Sequence, residues 1–151
     1  MKFKSQAMFL GLLVISAIGA VADTKMAYSH LPAAVQNAAE KEMQNGRVAG
    51  ARSEEEGGRM TYEVEITENG KTRDLTFDGS GRLLEVEQQV HLNALPPAAR
   101  TALQQRAGDN KIEKVESVTA RQSVSYEATI TKRNGKHTEV AVNPDGSPHR
   151  D

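Results

Sequence analysis

The chain has 151 residues, with 19 basic and 20 acidic side chains, a formal net charge of −1 and no basic stripe, which argues against a nucleic-acid partner. It contains no cysteine, which excludes disulfides, thiol catalysis and cysteine-ligated metals. Tryptophan is absent and aromatic residues make up only 4% of the chain, so the core must be built mainly from Val, Ile, Leu and Ala.

The start of the chain has the pattern of a cleavable secretory signal peptide. Lys2 and Lys4 form a positively charged start, and a mostly apolar stretch follows from residue 7 to residue 18. Small residues then lead to Ala22, so we expect cleavage between Ala22 and Asp23. A transmembrane anchor needs about 20 apolar residues, more than this stretch contains. The pattern therefore predicts export to the periplasm or the cell exterior, with no membrane attachment after cleavage.

One spacing relates the two halves of the chain, which indicates an internal repeat. Leu31-Pro32 recurs as Leu95-Pro96, and Tyr62-Glu63 recurs at the same offset as Tyr126-Glu127. The Asn-Gly-Lys tripeptide also recurs, after one inserted residue. The sequence thus predicts three segments: a signal peptide (1–22), a first repeat (23–91) and a second repeat (92–151).

The first half predicts one helix followed by four strands. Ser29 resembles a helix N-cap, Pro32 suits a first turn, and apolar residues then recur at helical spacing until Asn45-Gly46. Alternating polar and apolar residues from Met60 to Thr67 indicate a half-buried strand, and Asn69-Gly70 is a strong hairpin signal. The remaining elements are a weak strand (47–53), a solvated turn (54–58) and two further strands (72–77 and 82–88).

The second half repeats this order, with a helix over 95–107 and strands over 111–118, 123–131 and 138–142. The chain ends soon afterwards, so the fourth strand of this half is expected to be truncated or missing. One helix on so small a sheet buries little apolar area, and two units side by side could share one longer sheet. The predicted fold class is α+β: two tandem repeats, each with one helix packed on about four antiparallel strands, and both helices on one face.

In this order, the residues resemble the PepSY and PepSY-like domains of exported bacterial proteins. The resemblance rests on the Leu-Pro start of an alanine-rich helix, the strand from Tyr62 to Ile66, Asn69-Gly70-Lys71, and the turn from Asp78 to Gly81 before Arg82-Leu83-Leu84. It covers nearly all of residues 31–151, and the tandem arrangement is similar in architecture to the β-lactamase inhibitory protein. The resemblance implies a helix packed on an antiparallel sheet, a periplasmic or surface location and a role in restraining peptidases.

The chain departs from these relatives in two ways. It lacks the disulfides of the inhibitory protein, so that likeness is architectural and implies no β-lactamase target. In the second half, Asn143-Pro144-Asp145-Gly146 replaces the Asp-x-x-Gly turn that precedes apolar residues.

Neither a catalytic constellation nor a cofactor motif is visible in the sequence. Serines occur without a Gly-x-Ser-x-Gly or Ser-x-x-Lys arrangement that would activate one. The histidines do not cluster as metal ligands do, so we expect them at solvated or linker positions. They are His30, His91, His137 and His149. We therefore expect a protein that is not an enzyme and assign no catalytic, cofactor-binding or metal-ligating residue.

Two further features have an ordinary structural interpretation. Lys132, Arg133, Lys136 and His137 form a basic hairpin tip, which fits a soluble turn better than a binding site. Tyr62 and Tyr126 fall in the inward register of their strands, so we expect them to pack in the core.

The polar side of the long strands is the predicted partner surface. Helices can cover only one side of the sheet, and repeats side by side build an extended surface on the other. The alternative is an ordinary solvated face. The candidate partner-binding residues are Thr61, Glu63, Glu65, Thr67, Glu127, Thr129 and Thr131.

The predicted function is that of an exported, non-enzymatic PepSY-like binding module that inhibits or modulates a peptidase or another envelope protein. Its expected partner is an envelope or extracellular protein or peptide. The alternative is a periplasmic protein that binds a small ligand or a cation through its carboxylates and Asp-rich turns.

Overall fold

The structure is a computed structural model that describes residues 24–56 and 58–150, without the side chain of Glu56. The predicted signal peptide and its cleavage site between Ala22 and Asp23 lie outside the described residues. Within those residues, no helix is both long enough and apolar enough to cross a bilayer.

The described residues form one eight-stranded antiparallel sheet and two α-helices, so the α+β class is confirmed. The strands lie in the sheet in chain order, and each pairs with the next. The strands are β1 (Thr24–Lys25), β2 (Arg47–Glu56), β3 (Arg59–Glu68), β4 (Lys71–Asp78), β5 (Leu83–Gln89), β6 (Lys111–Ala120), β7 (Ser123–Thr131) and β8 (His137–Val142). The helices are α1 (Ala33–Glu42) and α2 (Pro97–Ala107), and 3₁₀ turns precede them at Tyr28–His30 and Leu92–Ala94.

Each helix packs on the sheet through its own hydrophobic cluster. The first cluster joins α1 to β3 and β4, and its buried members are Leu31, Val35, Ala39, Val64, Ile66, Leu75 and Phe77. The second joins α2 to β6, β7 and β8, and its buried members are Leu95, Ala99, Leu103, Ala107, Val115, Ala128, Ile130 and Val142. Burial of one such large side chain contributes about 1.5–3 kcal/mol.

Strand register places both clusters on the same side of the sheet. Val86 packs against the first cluster, and it is paired in register with Leu75 on one side and Thr119 on the other. Val115 lies four residues before Thr119 and therefore faces the same way, because side chains alternate along a strand. The predicted single sheet is thus present, and its opposite face carries polar side chains.

The start of α1 differs from the prediction. Ser29 lies in the preceding 3₁₀ turn, whereas Pro32 occupies the N-cap position and offers no side-chain hydrogen bond. Gln36 instead holds the segment before the helix in place, because its Nε2 donates a hydrogen bond to the Leu31 carbonyl at 2.8 Å. The Tyr28 hydroxyl donates to the Gln36 carbonyl at 3.0 Å. Burial of Leu31 and these bonds position the helix without a capping side chain.

The predicted turn over residues 54–58 is wrong in its first part. β2 continues to Glu56, and its last residues pair with the start of β3. Three consecutive glutamates and two glycines suggested a solvated turn, but cross-strand backbone pairing extends the hairpin to its tip. Gly58, with φ of +76°, lies in the turn itself.

Other local predictions agree with the structure. Asn69 and Gly70 have φ of +51° and +78° and connect β3 to β4, as the hairpin signal predicted. Tyr62 and Tyr126 pack against the first and second clusters, which confirms their inward register. After β8, the described residues contain no further strand, and an isolated bridge joins Val142 to Pro148.

Gly81, in the turn before β5, is a site where substitution tests the packing of α1 on the sheet. Its φ is +82°, and an added Cβ would lie 2.5 Å from the Ala34 carbonyl oxygen. Gly70 has a similar φ but no heavy atom within 4 Å of such a Cβ. We expect Gly70→Ala to cost about 1 kcal/mol of unfolding free energy from the left-handed backbone alone. Gly81→Ala should cost a further 1–3 kcal/mol or so from the collision. Urea unfolding of both variants measures the difference, and equal losses would contradict the close packing.

Candidate functional site

The face of the sheet opposite the helices carries carboxylates on every strand from β3 to β8. Asp74 on β4 lies in register between Glu65 on β3 and Glu87 on β5, and Glu116 on β6 pairs with Glu127 on β7. Side chains of directly opposed residues share a face, so these groups meet on one surface. We call this surface the acidic face; its carboxylates are Glu63, Glu65, Asp74, Glu85, Glu87, Glu116, Glu127 and Glu139.

Three of these carboxylates converge at the centre of the sheet. Asp74, Glu87 and Glu116 come from the adjacent strands β4, β5 and β6, and each offers one oxygen within 4.8 Å of the other two. Only 5% of Asp74 and 7% of Glu116 is exposed, although no described helix covers this face. We call these three residues the carboxylate cluster. Its members come from both halves of the chain, so it exists only because β5 pairs with β6.

Basic side chains compensate the acidic face only in part. Lys114 Nζ lies 2.6 Å from Glu116 Oε1, and Arg52 Nη2 lies 2.6 Å from Glu63 Oε1 nearer the β1 edge. The Glu116 oxygen has no further hydrogen-bond donor among the described residues. Asp74 Oδ1 is buried and has no hydrogen-bond partner in residues 24–56 and 58–150. The centre of the face therefore has more buried carboxyl groups than its basic neighbours can neutralise.

Burial and mutual repulsion raise the pKa of several carboxyl groups on this face. Burial, followed by repulsion from Glu63, raises the pKa of Asp74 to about 7. Burial and the charge of Glu116 raise the pKa of Glu87 to about 9. Burial and Glu139 raise the pKa of Glu127 to about 7. Asp74, Glu87 and Glu127 therefore retain their protons to a higher pH than ordinary carboxyl groups do.

The same carboxylates stabilise the charged form of Lys114. Burial alone would lower the pKa of its ammonium group, but its hydrogen bond to Glu116 and the charges of Glu116 and Asp74 outweigh that effect and raise the pKa. Lys114 consequently stays charged at neutral pH and supplies one fixed positive charge beside the cluster.

The two groups of predicted partner-binding residues lie on this face but not together. Thr61, Glu63, Glu65 and Thr67 are on β3, whereas Glu127, Thr129 and Thr131 are on β7. Three strands separate the two groups, and the carboxylate cluster lies on those strands. The sequence prediction missed Asp74, Glu87 and Glu116. Period-two alternation around Leu75 and Phe77 could have placed Asp74 on the polar face, but nothing local indicates its neighbours.

The Asp-rich turns are closed by their own hydrogen bonds. Asp78 accepts hydrogen bonds from Ser80 N, Ser80 Oγ and Arg82 N, and its other oxygen accepts one from Arg82 Nε at 3.0 Å. Asp145 accepts from Ser147 N and Oγ. The Ser80 and Ser147 side-chain hydrogen bonds contribute most to lowering the pKa of Asp78 and Asp145. These carboxylates stabilise turns and are poor candidates for a ligand site.

The histidines and the basic hairpin tip occupy separate places. His30 and His91 are exposed, His137 Nδ1 lies 3.4 Å from Glu113 Oε2, and His149 Nδ1 contacts Asn143 Oδ1 at 2.7 Å. Arg133 at the hairpin tip forms a 3.6 Å pair with Asp109, but both side chains are more than four-fifths exposed. An ion pair as exposed as this one contributes little to the stability of the fold.

A groove of about 850 Å³ opens near the ends of β3, β5 and β6. Among the described residues, its lining combines exposed apolar groups with three arginines and includes neither serine nor histidine. The lining residues are Arg59, Met60, Thr61, Asp78, Arg82, Leu83, Leu84 and Arg121. Both oxygens of Asp78 are engaged in its turn, so this carboxylate is a poor general base for the Thr61 hydroxyl in the same lining.

The raised pKa values predict that the protein loses stability as the pH rises. The folded chain holds protons on Asp74 and Glu87 that the unfolded chain releases near pH 4. The folded state thus binds more protons, so the free energy of unfolding falls through the range from about pH 5 to pH 9. The Tm measured by circular dichroism should fall as the pH rises over this range. In Asp74→Asn/Glu87→Gln the Tm should depend less steeply on pH. Glu40→Gln, on the exposed side of α1, is the control; an unchanged slope in the double variant would contradict the assignment.

Comparison with known proteins agrees with this architecture. The chain matches the family model described as "Putative beta-lactamase-inhibitor-like, PepSY-like" over residues 20–84 and again over residues 60–147. The two overlapping matches together span most of the chain. No curated protein matches the chain in sequence.

Solved structures of Bacteroides proteins share the fold. A protein from Bacteroides eggerthii described as one of the "putative periplasmic proteins" has a TM-score of 0.66 and 18% identity, covering 80% of this chain and 87% of its own. A DUF2874 family protein from Bacteroides uniformis has a TM-score of 0.63 and 19% identity, covering 79% and 86%. A BLIP-like protein from Bacteroides fragilis has a TM-score of 0.56 and 22% identity, covering 78% and 82%. These likenesses establish the fold, and the family match establishes that the chain belongs to the PepSY-like family.

Proposed function

We propose that this chain is a non-catalytic binding protein of the periplasm whose acidic face binds a positively charged segment of another envelope protein and modulates it. The carboxylate excess on a half-buried, helix-free sheet face is the observation that carries the proposal. A partner that brought Lys or Arg side chains to this face would supply the charge that Arg52 and Lys114 supply only in part. Charge-assisted hydrogen bonds to carboxylates are stronger than neutral ones, so such a partner would be favoured over an acidic one.

The proposed location rests on two supports. The first 22 residues have the export pattern, with cleavage proposed between Ala22 and Asp23. A solved relative of the same fold is described as one of the "putative periplasmic proteins". Export would bring the acidic face into contact with envelope proteins.

The proposed surface depends on two repeats, residues 23–91 and 92–151, lying side by side in one sheet. Equivalent details support this division. Gly81 and Gly146 have φ of +82° and +83°, and a Cβ at either would collide with a helix carbonyl, that of Ala34 or that of Ala98. A register shift also occurs at matching points of β2 and β6. Two units of this kind present a longer face than one unit could.

The carboxylates at the margins of the face are the best points at which to test partner binding. Glu63 is already paired with Arg52, so its reversal would leave two cations facing each other. Glu65 on β3 and Glu139 on β8 are half-buried, and burial raises the pKa of both. Neither has an ion-pair partner within hydrogen-bonding distance among the described residues. They lie on the two sides of the carboxylate cluster and leave it intact.

The experiment uses the mature chain from Asp23 and a fluorescent peptide of alternating Lys and Val. We expect saturable binding by fluorescence anisotropy at about 150 mM salt, weakened about tenfold or more in Glu65→Lys/Glu139→Lys. The same baits, immobilised, should retain an envelope protein only in the wild-type form.

A matched control carries the same change of charge on the other side of the molecule. Glu40→Lys/Asp109→Lys alters exposed side chains of α1 and of the turn after α2. Equal losses in both double variants would assign the binding to net charge, and no loss in Glu65→Lys/Glu139→Lys would exclude this face. Comparing Tm values identifies any variant that binds less because it is unfolded.

A further inference from the structure

The carboxylate cluster contains a buried polar atom without a partner. Asp74 is only 5% exposed, and its Oδ1 has no hydrogen-bond partner among residues 24–56 and 58–150. A buried acceptor that loses its water without gaining a donor costs about 1–3 kcal/mol, and more if it is charged. Native structures satisfy nearly all such atoms with protein groups, water or ions. The position of Asp74 therefore points to a ligand that supplies positive charge at this place.

From this geometry we infer that Asp74, Glu87 and Glu116 form a binding site for one divalent cation of about the size of Ca²⁺. This inference goes beyond the proposed function, because it needs no protein partner.

The spacing of the three carboxylates suits an ion of this size. One oxygen from each residue lies within 4.8 Å of the other two. Ca²⁺ binds oxygen at about 2.3–2.6 Å, so two of its ligands can be as much as about 5 Å apart. Mg²⁺ usually keeps several waters and binds through only one or two protein carboxylates, so three carboxylates around one ion favour Ca²⁺. The cluster can thus place one oxygen of each side chain around a single calcium-sized ion.

The chemistry of the cluster also suits a hard cation. All three side chains offer carboxylate oxygens, the ligands that Ca²⁺ prefers, and the chain has no cysteine that would favour a softer metal. The ligands come from three neighbouring strands of a continuous sheet, which fixes their spacing. Water would complete the coordination, because Ca²⁺ takes six to eight oxygens.

Lys114 is compatible with this site. Its ammonium group contacts one oxygen of Glu116 at 2.6 Å. A carboxylate has two oxygens, so Glu116 can contact an ion and the ammonium group at once. When all three carboxylates are ionised, the single charge of Lys114 does not balance them, whereas one divalent ion together with Lys114 does.

The test measures calcium binding directly, by isothermal titration of the chelator-treated mature chain from Asp23 at about pH 8, where Ca²⁺ competes with fewer protons. We expect one ion per chain and a rise in Tm with added CaCl₂, because a ligand that binds only the folded state stabilises it. Affinity should fall about tenfold or more in Asp74→Asn/Glu87→Gln, and MgCl₂ should bind more weakly than CaCl₂. These neutral substitutions relieve repulsion, so we expect the variant to stay folded, and its Tm without added metal checks this.

Glu40→Gln/Asp109→Asn removes the same two charges from exposed positions outside the face and should bind Ca²⁺ as the wild type does. Absence of saturable binding up to about 10 mM CaCl₂, beyond even weak extracellular calcium sites, would overturn the inference. Equal weakening of Ca²⁺ binding in both double variants would also overturn it, because the effect would then come from the net charge of the protein. Equal binding of MgCl₂ and CaCl₂ would overturn the assignment of ion size. Failure of the basic peptide to bind would leave these results unaffected, so the two proposals can fail separately.

Discussion

The pairing of β5 with β6 is the contact on which the other features depend. It joins two sets of strands, each with its own helix and hydrophobic cluster, into one eight-stranded sheet. The register sets Gln89 opposite Glu116 and Glu87 opposite Val118, which brings the acidic side chains of both halves onto one face. A shift of one residue would turn these carboxylates toward the helices. The same pairing thus decides both the continuity of the core and the position of the carboxylate cluster.

The position of the helices explains why the carboxylates are concentrated on one face of the sheet. Their apolar residues cover one side of the sheet, so inward positions must be apolar and outward positions are free to be polar. On the outward side, polar side chains at the centre of a wide sheet are flanked on both sides by the side chains of neighbouring strands. Asp74 is therefore nearly inaccessible despite lying on the uncovered face. Desolvation without enough compensating charge raises the pKa values here, and a basic partner or a divalent ion would relieve the same repulsion.

Local signals predicted the elements well where one physical effect dominated. Asn69-Gly70 fixes a hairpin because both residues adopt positive φ, and alternation from Met60 to Thr67 requires a strand with one buried side. Prediction failed where tertiary contacts replaced a local preference. Ser29 has the chemistry of a cap but lies in a 3₁₀ turn, because burial of Leu31 and the bonds of Gln36 set the helix start. The glutamates of 54–56 look solvated, yet pairing with β3 keeps them in a strand.

The sequence alone determined the class of fold, the strand faces and the outward position of Glu63, Glu65 and Glu127, because these follow from side-chain periodicity and turn chemistry within one segment. Tertiary structure decided which outward residues are neighbours. Asp74, Glu87 and Glu116 are separated along the chain by a turn and a helix, and only the order and register of β4, β5 and β6 bring their oxygens within 4.8 Å. Periodicity carries no information about distances between strands, so the carboxylate cluster emerges only when the two halves are joined.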